Sequence, residues 1–174
     1  MDSLKNLIRN VPDFPKKGIG FKDITTLIKD PKAFTQTIQK LCDPYKDMNV
    51  DIVAGIESRG FIFGGAAAIE LQAGFVPIRK KGKLPAETLF EEYALEYGTD
   101  AVEVHKDAVD KGVKVLLVDD LLATGGTAAA SVRLLKKLGS DVVGAAFVIE
   151  LDFLQGRKKL EGVPLHILIN FNEG

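Results

Sequence analysis

Two adjacent carboxylates, Asp119 and Asp120, are the most chemically informative residues of this 174-residue chain. They follow the apolar run Val115–Val118 and precede a turn of small and hydroxyl-bearing residues, Ala123–Thr127. Because neighbouring acids repel, keeping both ionised requires hydrogen-bond donors or a cation nearby. Vicinal hydroxyl groups are such donors, and backbone N–H groups of a glycine-rich turn at a helix N-terminus bind phosphate. The loop is therefore predicted to bind a sugar phosphate.

Basic residues occur where two further strands are predicted to end. Arg59 directly follows one strand, and Arg79, Lys80 and Lys83 leave the end of another. Ligands of open α/β sheets bind at the carboxyl ends of the strands, and arginine forks suit pyrophosphate. Taken alone, Arg59 fits a surface turn and the lysine run fits a solvated face. Their shared position at one sheet edge favours anion binding.

Two segments outside the predicted sheet carry candidate residues for a second substrate. Glu96 and Tyr97 lie in a long, charged excursion between Lys80 and Gly98, where they could cover a bound substrate and move a proton. By sequence alone, Glu96 is more typical of an exposed surface acid. Phe21 lies in a segment rich in proline and glycine, where its ring could stack on a heterocycle or fill the core.

The elements that must position these residues alternate between strands and helices. Predicted strands cover residues 50–56, 75–79, 114–118, 142–149 and 165–171, and predicted helices cover 31–41, 61–72 and 128–138. This alternation predicts an α/β fold with a mostly parallel central sheet flanked by helices. The segment 80–98 is predicted to be a hairpin-like excursion from that sheet.

Weaker patterns give three local predictions. Residues 2–10 have weak helical spacing, and residues 11–22 are predicted to form an irregular loop because they contain several prolines and glycines. Val102 and Val104 alternate with charges, which is typical of an exposed strand. Cys42 is the single cysteine, so we expect a packing residue and a reducing, cytoplasmic location.

Composition and missing motifs exclude several functions. Hydrophobic residues make up 46% of the chain and the net charge is −1, so nothing favours broad electrostatic binding to nucleic acid or a membrane. The longest apolar stretch, Phe61–Ile69, is too short to span a bilayer, and Met1–Lys5 lacks the apolar core of a signal peptide. Neither a P-loop nor a dinucleotide-binding glycine motif is present. A receiver domain is disfavoured because less than a third of the chain follows Asp120.

The thirteen residues Val115–Thr127 resemble the phosphoribosyl-pyrophosphate signature of the type I phosphoribosyltransferase family. Flanking segments extend the resemblance over nearly the whole chain, towards the adenine-specific members of that family. These segments are Phe14–Pro15, Glu57–Phe61, Arg79–Pro85, Leu95–Gly98, Val148–Leu151 and Gly156–Leu160.

The resemblance implies an architecture and an activity. It implies one type I phosphoribosyltransferase-like domain, 1–174, with an N-terminal hood (about residues 1–30) and a long flexible loop (about residues 84–99). The implied reaction transfers the 5-phosphoribosyl group from phosphoribosyl pyrophosphate to adenine, giving AMP and pyrophosphate in purine salvage. A homodimer is implied, as is Mg²⁺ carried by the substrate without a direct protein ligand. The alternatives are another base, such as xanthine or guanine, or a non-catalytic regulator that binds phosphoribosyl pyrophosphate.

The resemblance also implies a role for each candidate residue. The ribose hydroxyls and the 5′-phosphate would be bound by Asp119, Asp120, Ala123, Thr124, Gly125, Gly126 and Thr127. Pyrophosphate would be bound by Arg59, Arg79, Lys80 and Lys83. Adenine would be bound by Ile19, Gly20, Phe21, Lys22 and Leu151. Glu96 and Arg59 would be catalytic, with Glu96 as the acid/base at the purine N7, and Tyr97 would close with the lid.

One of these positions departs from the family pattern. Lys22 stands where many relatives carry arginine, so the charge is kept but the two-pronged fork is lost.

Overall fold

The computed structural model contains a central seven-stranded sheet. It describes residues 2–95 and 98–173, and of Asp2 it describes only the backbone. The strands in those residues are β1 (Arg9–Val11), β2 (Phe21–Asp23), β3 (Ile52–Ile56), β4 (Gly74–Lys80), β5 (Thr88–Leu95), β6 (Gly98–His105), β7 (Lys114–Leu122), β8 (Asp141–Leu151) and β9 (Leu165–Phe171). The helices are α1 (Asp2–Lys5), α2 (Thr25–Ile28), α3 (Pro31–Cys42), α4 (Gly60–Glu70) and α5 (Gly126–Lys137). Short 3₁₀ segments cover Asp43–Tyr45, Asp152–Leu154 and Gly156–Leu160.

The strand order β5-β6-β4-β3-β7-β8-β9 explains the apolar run before the two acids. Strands β4, β3, β7, β8 and β9 are parallel, whereas β6 pairs antiparallel with both β4 and β5. Successive strand residues face opposite sides, so Leu116 and Val118 pack in the cluster that contains α3 and α4. Val115 and Leu117 pack in the cluster that contains α5. The predicted mostly parallel sheet with helices on both faces is confirmed.

Helix α3 begins where the sequence predicts it. The Asp30 carboxylate accepts a hydrogen bond of 2.9 Å from the backbone N–H of Ala33, and Pro31 occupies the first helical position. Cys42, the last residue of α3, is fully buried, as predicted for a packing residue. None of the helices in the described residues is long and apolar enough to cross a bilayer.

Strand β6 corrects one prediction. Val102 and Val104 are fully buried, because this strand lies between β4 and β5 and packs its valines into the α5-side cluster. The intervening charged residue, Glu103, is also buried and accepts backbone hydrogen bonds from Lys83 and Leu84. The alternation of valine with charge therefore does not mark an exposed strand here, and that prediction is wrong.

Two other boundaries differ from the sequence-based expectation. The weak helical pattern over residues 2–10 gives only α1, because Arg9–Val11 instead pairs antiparallel with Phe21–Asp23. The predicted irregular loop is shortened from both ends by this two-stranded ribbon. Strand β7 continues to Leu122, so both acids lie inside the strand and not after its end.

The predicted excursion is a β-hairpin, with a register that runs from Thr88 opposite His105 to Leu95 opposite Gly98. Its first strand lies along α5. The Glu91 carboxylate accepts a hydrogen bond of 2.8 Å from Arg133 Nε and also pairs with Lys137. The hairpin is therefore tied by charge to the helix that begins at the glycine-rich turn.

We expect Glu91→Gln to loosen the hairpin from α5 without unfolding the chain. Partly exposed ion pairs contribute about 0.5–1 kcal/mol, so hydrogen exchange of amides in residues 88–95 and 98–105 should accelerate by about two- to fivefold. Exchange measured by mass spectrometry tests this. The matched control is Glu87→Gln, which removes the exposed pair with Lys106 and should leave those amides unchanged. Equal effects of the two variants would contradict the assignment.

Candidate active site

A cavity of about 570 Å³ opens at the carboxyl ends of β3 and β7. It brings together the acid pair, the turn after it and the segment that follows β3. Its lining residues are Ile56, Glu57, Ser58, Arg59, Lys80, Tyr93, Leu95, Asp100, Val102, Asp119, Asp120, Leu121, Leu122, Ala123, Thr124, Gly125, Gly126, Thr127 and Ala128. The sequence-based prediction that Arg59 and the acids share one sheet edge agrees with this geometry.

The two carboxylates are close to each other and to a single guanidinium. Asp120 is buried, its backbone N–H donates to Asp119 Oδ1 at 2.8 Å, and its Oδ2 lies 2.9 Å from Arg59 Nε. Burial and the neighbouring charge of Asp120 raise the pKa of Asp119 well above its ordinary value. Burial also raises the pKa of Asp120, against the opposing effect of Arg59. The folded chain therefore disfavours ionisation of this pair, and Arg59 offsets that effect only in part.

A glycine allows Asp119 to lie against the start of α4. A Cβ atom at Gly60 would lie 2.6 Å from Asp119 Oδ1, which is far inside contact distance. The absence of a side chain at this position thus makes room for the carboxylate between β7 and the first turn of α4.

The turn that follows the acids is shaped as an anion-binding loop. We call Ala123–Thr127 the phosphate loop. Gly125 has φ +75°, a conformation that favours glycine, and α5 begins at the next residue. The free backbone N–H groups of this first turn, together with the hydroxyls of Thr124 and Thr127, face the cavity region.

The basic residues divide into two groups. Lys80 lines the cavity and its Nζ lies 3.0 Å from Asp100 Oδ2. Arg79 and Lys83 are not among the described lining residues. The Arg79 guanidinium instead donates to Glu57 at 3.3 Å and to the carbonyl of Lys83 at 3.2 Å. The Arg79 side chain is therefore bonded to two neighbouring residues, Glu57 and Lys83.

The sequence analysis did not identify the two acids, Glu57 and Glu103, that bind the turn formed by residues 79–84, which we call the basic turn. Glu57 accepts a hydrogen bond from the backbone N–H of Lys80, and Glu103 accepts bonds of 2.8 Å from those of Lys83 and Leu84. Burial favours a higher pKa for Glu103, but these donors lower it overall. The sequence offered no clear signal for Glu103, since it reads as one of several charges in an alternating strand.

Tyr93 and Asp100 were also missed, although the hairpin register places them opposite each other. The Tyr93 hydroxyl donates to Asp100 at 3.2 Å, and both line the cavity. A Cβ atom at Gly126 would lie 3.2 Å from the Tyr93 ring, so this ring packs against the start of α5.

Phe21, in the predicted hood, lies beside Arg59, which lines the cavity. The Phe21 ring is half-buried, packs edge-on against Phe14, and lies 5.2 Å from the guanidinium carbon of Arg59. Ile19 is exposed and Gly20 is half-buried. Leu151 is half-buried at the end of β8.

Lys22 points away from the cavity. Its side chain is only 9% exposed, and its Nζ lies 3.0 Å from Asn10 Oδ1 and 4.7 Å from the centre of the Phe171 ring. The amine therefore ties the hood to the last strand, which leaves the backbone of this residue as the part that can face a base. Two further predicted residues, Glu96 and Tyr97, lie outside the described residues.

Comparison with known proteins decides the family. A family model described as a phosphoribosyl transferase domain matches residues 25–170. The chain belongs to the phosphoribosyltransferase family. Its similarity to the adenine-specific phosphoribosyltransferases, predicted from the sequence, is also confirmed. Adenine phosphoribosyltransferase 4 of Arabidopsis thaliana is 56% identical over 98% of this chain and 94% of the relative.

Solved structures of phosphoribosyltransferases agree with this fold. The adenine phosphoribosyltransferase of Rhodothermus marinus superposes with a TM-score of 0.94 at 53% identity, covering 98% of this chain and 97% of the other. The Saccharomyces cerevisiae enzyme, complexed with an imino-altritol bisphosphate and adenine, gives a TM-score of 0.91 at 41% identity, covering 96% and 97%.

We expect Asp119→Asn to stabilise the ligand-free phosphoribosyltransferase at neutral pH. Because the pKa of Asp119 is raised in the folded chain, ionisation of this carboxylate lowers the free energy of unfolding. This loss of stability is present above the raised pKa and disappears as acidification protonates the group. Melting curves should show a Tm increase of about 2–4 °C, since about 1 kcal/mol has that effect in a chain of this size. The increase should shrink towards acidic pH.

The charge-matched control for this measurement is Asp47→Asn, which removes an exposed aspartate. Its Tm should stay near that of the parent chain at every pH. A lower Tm for Asp119→Asn at neutral pH would show that the ionised carboxylate stabilises the fold.

Proposed function

We propose that this chain transfers the 5-phosphoribosyl group from phosphoribosyl pyrophosphate to adenine, giving AMP and pyrophosphate. The observation that carries the proposal is the single cavity in which the acid pair, the phosphate loop and Arg59 meet. The choice of adenine is supported by the relatives, which include enzymes named for that base and a yeast structure that holds it.

The acid pair and the phosphate loop would hold the sugar. The carboxylates of Asp119 and Asp120 accept hydrogen bonds from the two ribose hydroxyls, and backbone N–H groups of Ala123–Thr127 donate to the 5′-phosphate. This fixes the ribose ring by both ends, so that its C1′ atom is oriented for attack by the base.

Arg59 would change partners when the substrate binds. In the free chain its guanidinium neutralises Asp120. Ribose hydroxyls that bind Asp120 replace this contact, so the guanidinium becomes available to pyrophosphate, the group that leaves C1′ with negative charge. Lys80 lines the same cavity. Arg79 and Lys83 would complete the proposed pyrophosphate site once the Arg79 guanidinium leaves the carbonyl of Lys83.

Adenine would bind beneath the hood. Phe21 and Leu151 sandwich the ring, and the backbone of residues 19–21 reads its edge. Lys22, the remaining residue of the proposed adenine site, follows directly. The position of Phe21 beside Arg59 supports this, because it brings a base stacked on that ring next to the sugar site. The new bond joins adenine N9 to C1′ as the bond to pyrophosphate breaks, and the proton that the base carries at N7 passes to Glu96.

The hairpin would act as the lid of the site. In this proposal Glu96 exchanges a proton at the purine N7 and Tyr97 closes with the lid, within the segment of about residues 84–99. Support comes from the neighbouring residues Tyr93 and Leu95, which already line the cavity. A closed hairpin excludes water that would otherwise react at C1′.

The site fits a Mg²⁺ ion carried by the substrate, as members of this family generally use. In the described residues no three His, Cys, Asp or Glu side chains converge as a ligand set, whereas the acid pair is only partly neutralised by Arg59. Substrate oxygens next to Asp119 and Asp120 would therefore hold the ion, which neutralises pyrophosphate charge when bound. The single cysteine supports the proposal of a cytoplasmic location.

Pyrophosphate release tests the function. The chain is incubated with phosphoribosyl pyrophosphate, Mg²⁺ and adenine, guanine, hypoxanthine or xanthine in turn, and we expect turnover with adenine. The control is the double variant Asp119→Asn/Asp120→Asn, which should lose activity by at least about 10²-fold because neutral amides replace both charged acceptors of the ribose hydroxyls.

Each other outcome of this assay has a distinct meaning. Turnover with guanine or xanthine alone would contradict the choice of base. Binding of phosphoribosyl pyrophosphate without turnover of any base would identify a regulator and not an enzyme.

We also propose that the chain forms a homodimer through α4. Ile62 and Ile69 lie two helical turns apart on one face, and Ile69 is 82% exposed. Phe75, at the start of β4, extends this apolar surface. A second copy of the chain would cover it by two-fold symmetry.

Replacing Ile69 by aspartate places a charge in the proposed interface and should convert dimer to monomer. Light scattering coupled to size-exclusion chromatography measures the mass. Met48→Asp, which charges an exposed apolar position in another segment, serves as the control and should stay dimeric. A dimer that persists in Ile69→Asp would place the interface elsewhere.

A further inference from the structure

We propose that Gly156 is a positioning residue that holds the phosphate loop in its binding form, and that an ion pair between the buried Glu150 and the half-exposed Arg157 fixes Gly156 in place. The inference rests on the proposed function, because it assigns the 5′-phosphate to residues 123–127. It concerns a segment that the sequence analysis singled out, Gly156–Leu160, and to which no role has been given so far.

The backbones of Gly156 and the phosphate loop are in direct contact. A Cβ atom at Gly156 would lie 2.1 Å from the carbonyl oxygen of Ala123 and 2.9 Å from the backbone nitrogen of Gly125. A Cβ atom at Gly125 would in turn lie 2.3 Å from the carbonyl oxygen of Gly156. Glycine is therefore required on both sides of this contact, and the atoms it touches are backbone atoms that cannot rotate away.

The contact touches the part of the loop that donates to phosphate. Gly125 is the residue before α5, and its φ of +75° turns the chain so that the first N–H groups of the helix face the cavity. A displacement of Ala123 or Gly125 would therefore move these donors together. Gly156 packs against the backbone of these two residues and so limits how far they can move.

An ion pair to a buried carboxylate anchors the segment that contains Gly156. Glu150 is fully buried and accepts a hydrogen bond of 2.8 Å from Arg157 Nε, while Arg157 Nη2 donates to its second oxygen. Such two-pronged pairing fixes both side chains in one geometry. Glu150 lies opposite Leu122 in the β7–β8 register, directly before the phosphate loop. The pair thus links the strand beside the loop to the residue that follows Gly156.

The stretch from Glu150 to Leu160 borders both proposed substrate sites. Leu151, proposed to contact adenine, directly follows Glu150, while Gly156 contacts the loop proposed to bind the 5′-phosphate. Leu160, at the end of the 3₁₀ segment, is buried in the cluster that contains Ala128 of α5. The Glu150–Arg157 pair and the packing of Leu160 therefore hold the segment at two points after Gly156.

Gly156→Ala tests the proposal with the ion pair left intact. The backbone of Gly156 does not require glycine for its own conformation, because its φ lies outside the left-handed region. The added methyl group must displace the phosphate loop. We expect the Kd for ribose 5-phosphate, measured by calorimetry, and the KM for phosphoribosyl pyrophosphate to rise roughly tenfold or more. The KM for adenine should stay within about twofold.

The matched control is Gly162→Ala. Gly162 has φ +79° and open space around its Cβ position, so alanine strains the backbone nearby without touching the phosphate loop. This variant should lose thermal stability and keep its Kd for ribose 5-phosphate. An equal loss of affinity in both variants would show that general destabilisation is the cause and would overturn the proposal.

Arg157 provides a second, independent variant. Arg157→Ala leaves Glu150 buried without its partner, and Arg157→Lys keeps the charge but not the fork. We expect ribose 5-phosphate affinity to fall in the order parent, Arg157→Lys, Arg157→Ala. Unchanged affinity in Gly156→Ala overturns the inference even if both Arg157 variants unfold. If the parent chain itself fails to bind ribose 5-phosphate, the proposed function is what fails.

Discussion

Two carboxylates on successive residues, held among protein atoms, repel each other and lose the solvation that water would give them. In this chain the cost falls on Asp119 and Asp120, and a single guanidinium, that of Arg59, offsets part of it. Under the proposed function, the hydroxyl donors of the ribose would supply the partners that the pair still lacks. The elements around the pair hold these acids in place and supply their partners.

Three kinds of contact surround the acid pair. Glycines permit close approach, as Gly60 does for Asp119 and Gly156 does for the phosphate loop. Buried acids anchor the neighbouring turns, as Glu103 does for the basic turn and Glu150 does for the 3₁₀ segment. The hairpin contributes Tyr93, Leu95, Asp100 and Val102 to the cavity lining, and Arg133 ties it to α5. Lys22 ties the N-terminal segment to the last strand.

Local sequence patterns predicted the strands and helices well where burial is periodic. The run before the acids reads as a strand buried on both faces, and Asp30 with Pro31 marks the start of α3. The patterns failed where a partner distant in sequence decides burial. Glu103 reads as exposed because nothing near it shows that the turn at Lys83 will supply backbone donors. Lys22 lies in a loop-like segment, and no nearby residue indicates that its amine will contact the ring of Phe171, close to the other end of the chain.

The sequence alone determined the chemistry of the sugar-phosphate loop and the family, because the acids and the phosphate loop are contiguous and their physical roles are local. Tertiary structure decided which distant groups complete the site. It brought Arg59 to Asp120, Tyr93 to the start of α5 and Gly156 to the phosphate loop. Such contacts join residues from different strands and turns, and they depend on strand order and register, which no local pattern of residue types encodes.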